Sequence, residues 1–424
     1  MTAPSGNFDN VPDLASYAHP HAHTDTPRDR AADRRALLAL GVGSFGIGTG
    51  EFVIMGLLPD AARDLAISIP EAGHLISAYA LGVVIGAPLL AVLGARWPRR
   101  NLLIALMAFF AVGNVASALA PSYLSMLVLR LLTGFPHGTY FGVAALVAAS
   151  LVPRERRAQA VGLVMLGLTV ATLVGVPIAA GIGTWLGWRA AFMIVGAIGA
   201  LTALLVWRWV PFVPADRHAS PLRELSALAR KQVWFTLGIG AIGFGGMFAV
   251  FSYVKPTMLE VAHMPASGIP IVLALFGVGM VAGNLAGAKL ADRALMPTVG
   301  GVLVWSALVL GAFVFTAHHA WLASLNVMLV GTAVALGPPL QIRLMDVAGD
   351  AQTLAAALNH SAFNMANALG AWLGGVTIAA GMGWTSTGWV GALLALGGLV
   401  VFAWSLAGSQ RRDSNDSRDA SVTA

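Results

Sequence analysis

The sequence predicts an all-α membrane protein, with twelve transmembrane helices in two pseudo-symmetric six-helix bundles. Three observations carry this reading. Of 424 residues, 57% are apolar and 10% charged, against roughly 25% charged in an ordinary soluble domain. The mean hydropathy is +0.77, and 49 glycines suit closely packed membrane helices. Apolar runs long enough for a spanning helix of about 20 residues recur twelve times, six on each side of the longest internal polar stretch. A soluble enzyme is excluded. The chain has no cysteine, which removes disulfide frameworks, thiolate metal sites and catalytic thiols.

Residues 1–35 read as a disordered polar tail, in which His19, His21 and His23 are solvated rather than metal-bound. The first apolar run begins near Ala36 and is too long for the core of a secretory signal, so it is read as a retained span. The spans of the N-terminal bundle (36–210) are expected at 36–58, 73–94, 101–120, 123–149, 158–181 and 188–209. Those of the C-terminal bundle (233–408) are expected at 233–256, 268–290, 297–317, 321–343, 353–380 and 385–407. Residues 211–232 form a linker rich in basic residues, and 409–424 a second polar tail.

Basic residues set the orientation, because loops that carry Lys and Arg stay in the cytoplasm. With the N-terminus inside, 21 of the 25 basic residues face the cytoplasm. Only Arg63, Arg189 and Lys255 fall outside, and Arg130 lies within a span. Tryptophans mark both interfaces: Trp97, Trp207, Trp209, Trp234 and Trp404 at inner ends, Trp185, Trp188, Trp321 and Trp384 at outer ones. The expected location is therefore the cell membrane, multi-pass, with both termini cytoplasmic. An internal repeat is also legible. A shift of 197 residues aligns Tyr79 with Phe276, Gly82 with Gly279, Gly86 with Gly283, Leu93 with Leu290 and Arg96 with Arg293. Two related six-helix halves favour a transporter with its site between them.

Several motifs narrow the class. The loop after span 8 reads Ala288-Lys-Leu-Ala-Asp292-Arg293, and its counterpart after span 2 keeps Arg96, Arg99 and Arg100 but has Ala95 in place of the aspartate. Span 4 carries Arg130-Leu-Leu-Thr-Gly134-Phe-Pro-His137-Gly138. Span 5 carries Gly167, Gly175-Val-Pro177 and Gly181. Further stretches are Gly50-Glu-Phe-Val-Ile-Met-Gly-Leu-Leu-Pro59, Tyr79-Ala-Leu-Gly-Val and Gly187-Trp-Arg-Ala-Ala-Phe192. Together they resemble the major facilitator superfamily, and within it the twelve-span drug:proton antiporters of arabinose-efflux-like and chloramphenicol-resistance-like type. The resemblance implies that Asp292 and Arg293, with Arg96 as a partner, latch the two bundles in the outward-open state. It also implies that Gly167, Gly175, Pro177 and Gly181 form the antiporter motif, a tight helix contact that restrains leakage. Close packing alone is the plainer reading of those glycines.

Ionisable groups within spans are the sharpest signal, since a charge at mid-bilayer costs about 2.5–3.5 kcal/mol even on lenient scales. Glu51 and Arg130 are the carboxylate and the guanidinium well inside the apolar runs. Each lies about seven residues, some 10 Å, from the outer end of its helix. The resemblance puts both beside the central cavity, so a close or water-bridged relationship is expected, with Glu51 carrying a proton. A permanent ion pair that fixes two helices is the structural alternative, although buried pairs stabilise poorly. His137, two turns from Arg130, is read as a proton relay or substrate ligand, or equally as a packing histidine. Span 11 carries a stripe of His360, Asn364 and Asn367, flanked by Asn359 and Ser361 and read chiefly as interhelical hydrogen bonding. Tyr79, Asn114, Tyr140, Phe141, Phe248 and Phe251, with His360 and Asn364, are weaker candidates for the substrate cavity; Asn284 and Asn326 read as packing amides.

No nucleotide-binding loop, H-E-x-x-H motif or acidic cluster occurs, so the chain encodes neither a nucleotide-driven pump nor a metalloprotease. The reading is a secondary transporter: proton-coupled efflux of small hydrophobic or amphipathic compounds by alternating access. A sugar or nucleoside exporter of the same mechanism is the nearer alternative, and a transport-inactive sensor or scaffold the more distant one. The expected partners are a small-molecule substrate, protons and the lipid bilayer, with no nucleic acid, metal or cofactor, and the protein is expected to be monomeric. Topology is directly testable in this cysteine-free chain. Ser220→Cys in the linker should resist an impermeant thiol reagent in intact cells and react after permeabilisation; labelling from outside would invert the topology.

Overall fold

The computed structural model describes residues 27–94, 96–153, 157–212, 226–348 and 352–422. The histidine-bearing tail and most of the linker lie outside the described residues. The helices follow the twelve expected spans. In chain order they are α1 (Pro27–Asp64), α2 (Ile69–Gly94), α3 (Arg99–Ala118) and α4 (Tyr123–Ser150). Next comes α5, which runs as Arg157–Val170, a π turn at Ala171–Gly175, then Val176–Leu186; α6 is Trp188–Trp209. In the second half, α7 is Lys231–Gly243 continued by Gly245–Ser252, α8 is Ile269–Arg293 and α9 is Leu295–Thr316. The chain then forms α10, Ala320–Gly331 and Gly337–Ala348 joined by a 3₁₀ turn at Thr332–Leu336. The last two helices are α11 (Gln352–Ala379) and α12 (Ser386–Val422).

Two boundaries correct the sequence reading. Helix α1 begins at Pro27 and α12 continues to Val422, so the residues next to the membrane are helical where irregular tails were expected. Among the described residues, eleven helical segments are long and apolar enough to cross a membrane. The exception is α11, whose polar stripe lowers its hydropathy; a helix with such a stripe needs protein rather than lipid around it.

The internal repeat becomes physical in the packing. A Cβ at Gly82 would lie 1.9 Å from the Leu131 carbonyl oxygen, and one at Gly279 would lie 1.8 Å from that of Met328. Gly134 backs onto the Tyr79 carbonyl at 2.2 Å, and Gly331 onto that of Phe276 at 2.4 Å. Each pair differs by 197 residues, so α2 crosses α4 as α8 crosses α10, backbone to backbone. The same shift aligns Gly41, Gly43, Gly46 and Gly48 of α1 with Gly238, Gly240, Gly243 and Gly245 of α7.

The two halves meet along α2 with α11 and along α5 with α8. At the second contact the π turn of α5 presses against α8: a Cβ at Gly277 would come within 2.5 Å of Leu173 Cα. Contacts across the halves converge on the end that carries the α1–α2 and α7–α8 connections. There the Ser77 hydroxyl donates to the Ala368 carbonyl at 3.0 Å. Tyr253, bonded to the Ala371 carbonyl, wedges its hydroxyl against Gly73, where a Cβ would sit 2.1 Å away. Buried Lys255 pairs with Asp60 across the halves. We refer to this as the sealed end, and to the opposite end, with the arginine-rich α2–α3 loop, as the basic end.

These close approaches predict contrasting responses to substitution. Gly82→Val must displace backbone and should cost about 1–3 kcal/mol, as overpacking does. Gly142→Ala meets nothing within 4 Å and should be neutral or slightly stabilising. Fluorescence-monitored melting of the purified variants checks both.

Candidate functional site

The site begins with Arg130. Helix α4 starts at a Ser122–Ser125 capping box and carries Arg130 two turns in, where its side chain is fully buried. A buried cation needs partners. The Arg130 Nη1 donates to the Gly50 carbonyl oxygen at 3.2 Å. The guanidinium carbon sits 4.3 Å from the centre of the Tyr79 ring and 5.4 Å from that of Phe192, an aromatic sandwich built from α2 and α6. Among the described residues, no hydrogen-bond partner meets its Nε or Nη2. The close relationship expected with Glu51 is electrostatic and not a direct ion pair. Arg130 bonds the backbone of the residue before Glu51, and no ion pair within 4.0 Å joins the two side chains among the described residues.

Glu51 turns instead toward the other half. Its Oε1 accepts from Asn367 Nδ2 of α11 at 3.1 Å, and both residues are buried. From Tyr79 the polar network continues to His137, whose Nδ1 shares a 3.2 Å hydrogen bond with the Tyr79 hydroxyl. His137 lies 6.3 Å, ring centre to ring centre, from His360 of α11, and Phe141 stacks on His360 at 5.2 Å. The structure thus brings together Glu51, Arg130, Tyr79, His137, Phe141 and His360 at the junction of α1, α2, α4 and α11.

A cavity of about 260 Å³ opens beside this junction, lined by Glu51, His137, His360 and Asn364. Its apolar wall comprises Phe52, Phe244, Met247, Phe248, Met280 and Phe363, and its polar wall adds Asn284, Gln341 and Asn359. Asn359 donates to Gln341 at 2.7 Å, tying α11 to α10. Such a chamber suits a small molecule with an apolar body and a few polar groups.

The remaining candidates separate cleanly. Asn114 donates to the Phe110 carbonyl of its own helix, and the Tyr140 hydroxyl to Leu40 in the gap over Gly43; neither lines the cavity. Phe251 stacks on Phe276 at 3.6 Å, outside the cavity lining, whereas Phe248 lies on the wall. Gly167 and Gly175 pack against α1, where a Cβ would lie 2.2 Å from the Gly41 carbonyl and 2.5 Å from Thr49. A Cβ at Gly181 meets nothing, so close packing does not explain that glycine. Pro177 follows the π turn at the start of the second piece of α5. Arg96, Asp292 and Arg293 are exposed and not paired with one another. In the Gly187-Trp-Arg stretch, Gly187 adopts φ +87°, while Trp188 and Arg189 both bind Asp64, so it ties α6 to the end of α1.

Residues 40–352 match the Major Facilitator Superfamily. The chain belongs to that superfamily. It is 42% identical over 368 residues to the inner membrane transport protein YdhP of Escherichia coli, covering 86% of this chain and 95% of that one. The chloramphenicol resistance protein of Streptomyces lividans is 34% identical over 378 residues, 87% and 94% of the two chains. The fold matches a solved structure of a bacterial homologue of the lysosomal transporter Spinster, with a TM-score of 0.66 at 18% identity, covering 88% of this chain and 96% of that one. Like other members of the superfamily, this chain is a multi-pass membrane transporter and not an enzyme.

Asn367 is the residue whose place sequence reasoning missed. Its spacing from His360 was legible, but nothing in a helical stripe says which helix of the other half it faces. Asn284 and Gln341 were missed likewise, as lone amides in apolar spans.

Proposed function

We propose that this transporter exports small hydrophobic or amphipathic molecules in exchange for protons, by alternating access, with the basic end cytoplasmic. One observation carries the reading: Glu51, a carboxylate buried in the bundle, faces the cavity and is held by the opposite half rather than neutralised by Arg130. A buried carboxylate without a direct salt bridge is costly as fixed architecture and useful as a proton carrier. Arg130 supplies positive potential and fixes the backbone at Gly50. His137 and His360, on the cavity wall, serve as relay or substrate ligands.

The phenylalanine and methionine wall supports apolar cargo, since both side chains adapt to irregular shapes. The relative named for chloramphenicol resistance points the same way. In this arrangement the sealed end is closed, and the exposed Asp292, Arg293 and Arg96 are a disengaged latch that closes the basic end in the opposite state. The contact of the α5 π turn with α8 is the pivot, and Gly167, Gly175 and Pro177 hold α5 against α1 around it.

The test uses proteoliposomes with an imposed pH gradient and a compound found by screening exporter-deficient strains, beginning with chloramphenicol. Glu51→Gln keeps the shape and the hydrogen bond but cannot release a proton. It should exchange substrate at near wild-type rate yet lose uphill accumulation. Arg130→Ala should lose both, because it leaves Gly50 and the Tyr79–Phe192 sandwich unfilled. Undiminished uphill transport by Glu51→Gln would move the proton to His137 or His360.

A further inference from the structure

Alternating access moves one bundle against the other around a site between them. A proton can drive that movement only if its site differs between the two arrangements; equal affinity in both shifts nothing. Tyr79, Arg130 and His137 belong to the same bundle as Glu51 and travel with it. They tune the carboxylate but supply no difference between states. Beside the change in hydration as either end opens, a difference in side-chain contacts has to come from the opposite bundle. Among the described residues, one hydrogen bond from that bundle reaches the carboxylate, donated by Asn367 at 3.1 Å.

We propose that Asn367 is the coupling residue of this transporter, a positioning residue that holds the sealed end closed while Glu51 is ionised. The proposal rests on the reading of Glu51 as the proton carrier. A carboxylate only accepts hydrogen bonds, so the amide nitrogen must be the atom that faces it. Hydrogen bonds to a charged group are roughly twice as strong as those between neutral groups. Release of the proton therefore tightens the bridge, and protonation loosens it. The bridge adjoins the seal itself: Ala368, the next residue of α11, accepts from Ser77 of α2, and Asp60, further along α1 from Glu51, meets Lys255.

The other titratable groups nearby do not provide this link. Arg130 and Tyr79 meet each other within the half that carries Glu51 and travel with it, and His360, in the opposite half, faces His137 and Phe141. The consequence is a rule for the empty carrier. With its proton gone and no cargo in the cavity, it stays sealed; cargo entering beside Glu51 and Asn364 releases it. Without the bridge, the empty carrier would return on its own and let protons cross without substrate.

That leak is the test, and it needs no identified substrate. Wild-type protein and Asn367→Leu are reconstituted in vesicles with a pH-sensitive dye, and proton entry is followed under an imposed pH gradient. Asn367→Leu should leak at least about tenfold faster, the factor set by about 1.4 kcal/mol. Asn367→Ala should behave likewise, and Asn367→Ser, which keeps a donor, should leak less than either. Adding Glu51→Gln to Asn367→Leu should abolish the leak, because no proton is then carried. Asn367→Leu or Asn367→Ala as tight as wild type would overturn the coupling role. A leak that survives in the double variant would instead overturn the reading of Glu51, which keeps the two failures apart.

Discussion

A guanidinium buried among membrane helices, with no carboxylate on it, is the constraint around which the first half of this protein is arranged. Burying a charge is costly unless it is paired or well solvated by the protein. Arg130 is met instead by two aromatic faces and one backbone carbonyl. That solution fixes several helices at once: Tyr79 places α2, Phe192 places α6, and Gly50 places α1 at the height of Glu51. It also leaves Glu51 free of a salt bridge, and a carboxylate that has not been neutralised by its own half can respond to the other one.

The two halves share a backbone plan but not a chemistry. The glycine contacts of α2 on α4 recur in α8 on α10 to within a few tenths of an ångström. The polar residues do not recur: the 197-residue shift carries Glu51 to Phe248, Tyr79 to Phe276, Arg130 to Val327 and His137 to Val334. The buried group of Glu51, Tyr79, Arg130 and His137 is therefore confined to the first half. The second contributes most of the apolar wall and the amides of Asn284, Gln341, Asn359, Asn364 and Asn367. This division suits a transporter in which one bundle holds the proton site and the other senses it, with cargo seated between them.

Much of this was legible in the sequence. Span number, the break between halves and the glycine repeat follow from hydropathy and spacing, which depend on the bilayer and on helix geometry alone. Glu51, Arg130, His137 and His360 stood out because ionisable groups are expensive in a membrane. What stayed hidden depends on contacts between distant segments. The depth of Glu51 and Arg130 matched, yet depth gives no rotation about the helix axis, and Arg130 turned to Gly50 and Tyr79. Asn367 sat in a recognised stripe whose partner was 316 residues away. Lys255 counted only as an outside basic residue until the fold closed it on Asp60. Tyr140 and Asn114, polar residues within spans, satisfied themselves on nearby backbone.

If ionised Glu51 keeps the sealed end closed, the distance across that end must follow its protonation. Arg63 of α1 and Ser267, just before α8, are both exposed there. Spin labels on Arg63→Cys and Ser267→Cys in the purified protein report the separation by pulsed electron resonance. On acidification a growing population of longer distances is expected in the wild-type background. With Glu51→Gln, that population should be present at every pH. A distribution that ignores pH in the wild type, or one that responds to pH equally well without Glu51, would contradict it.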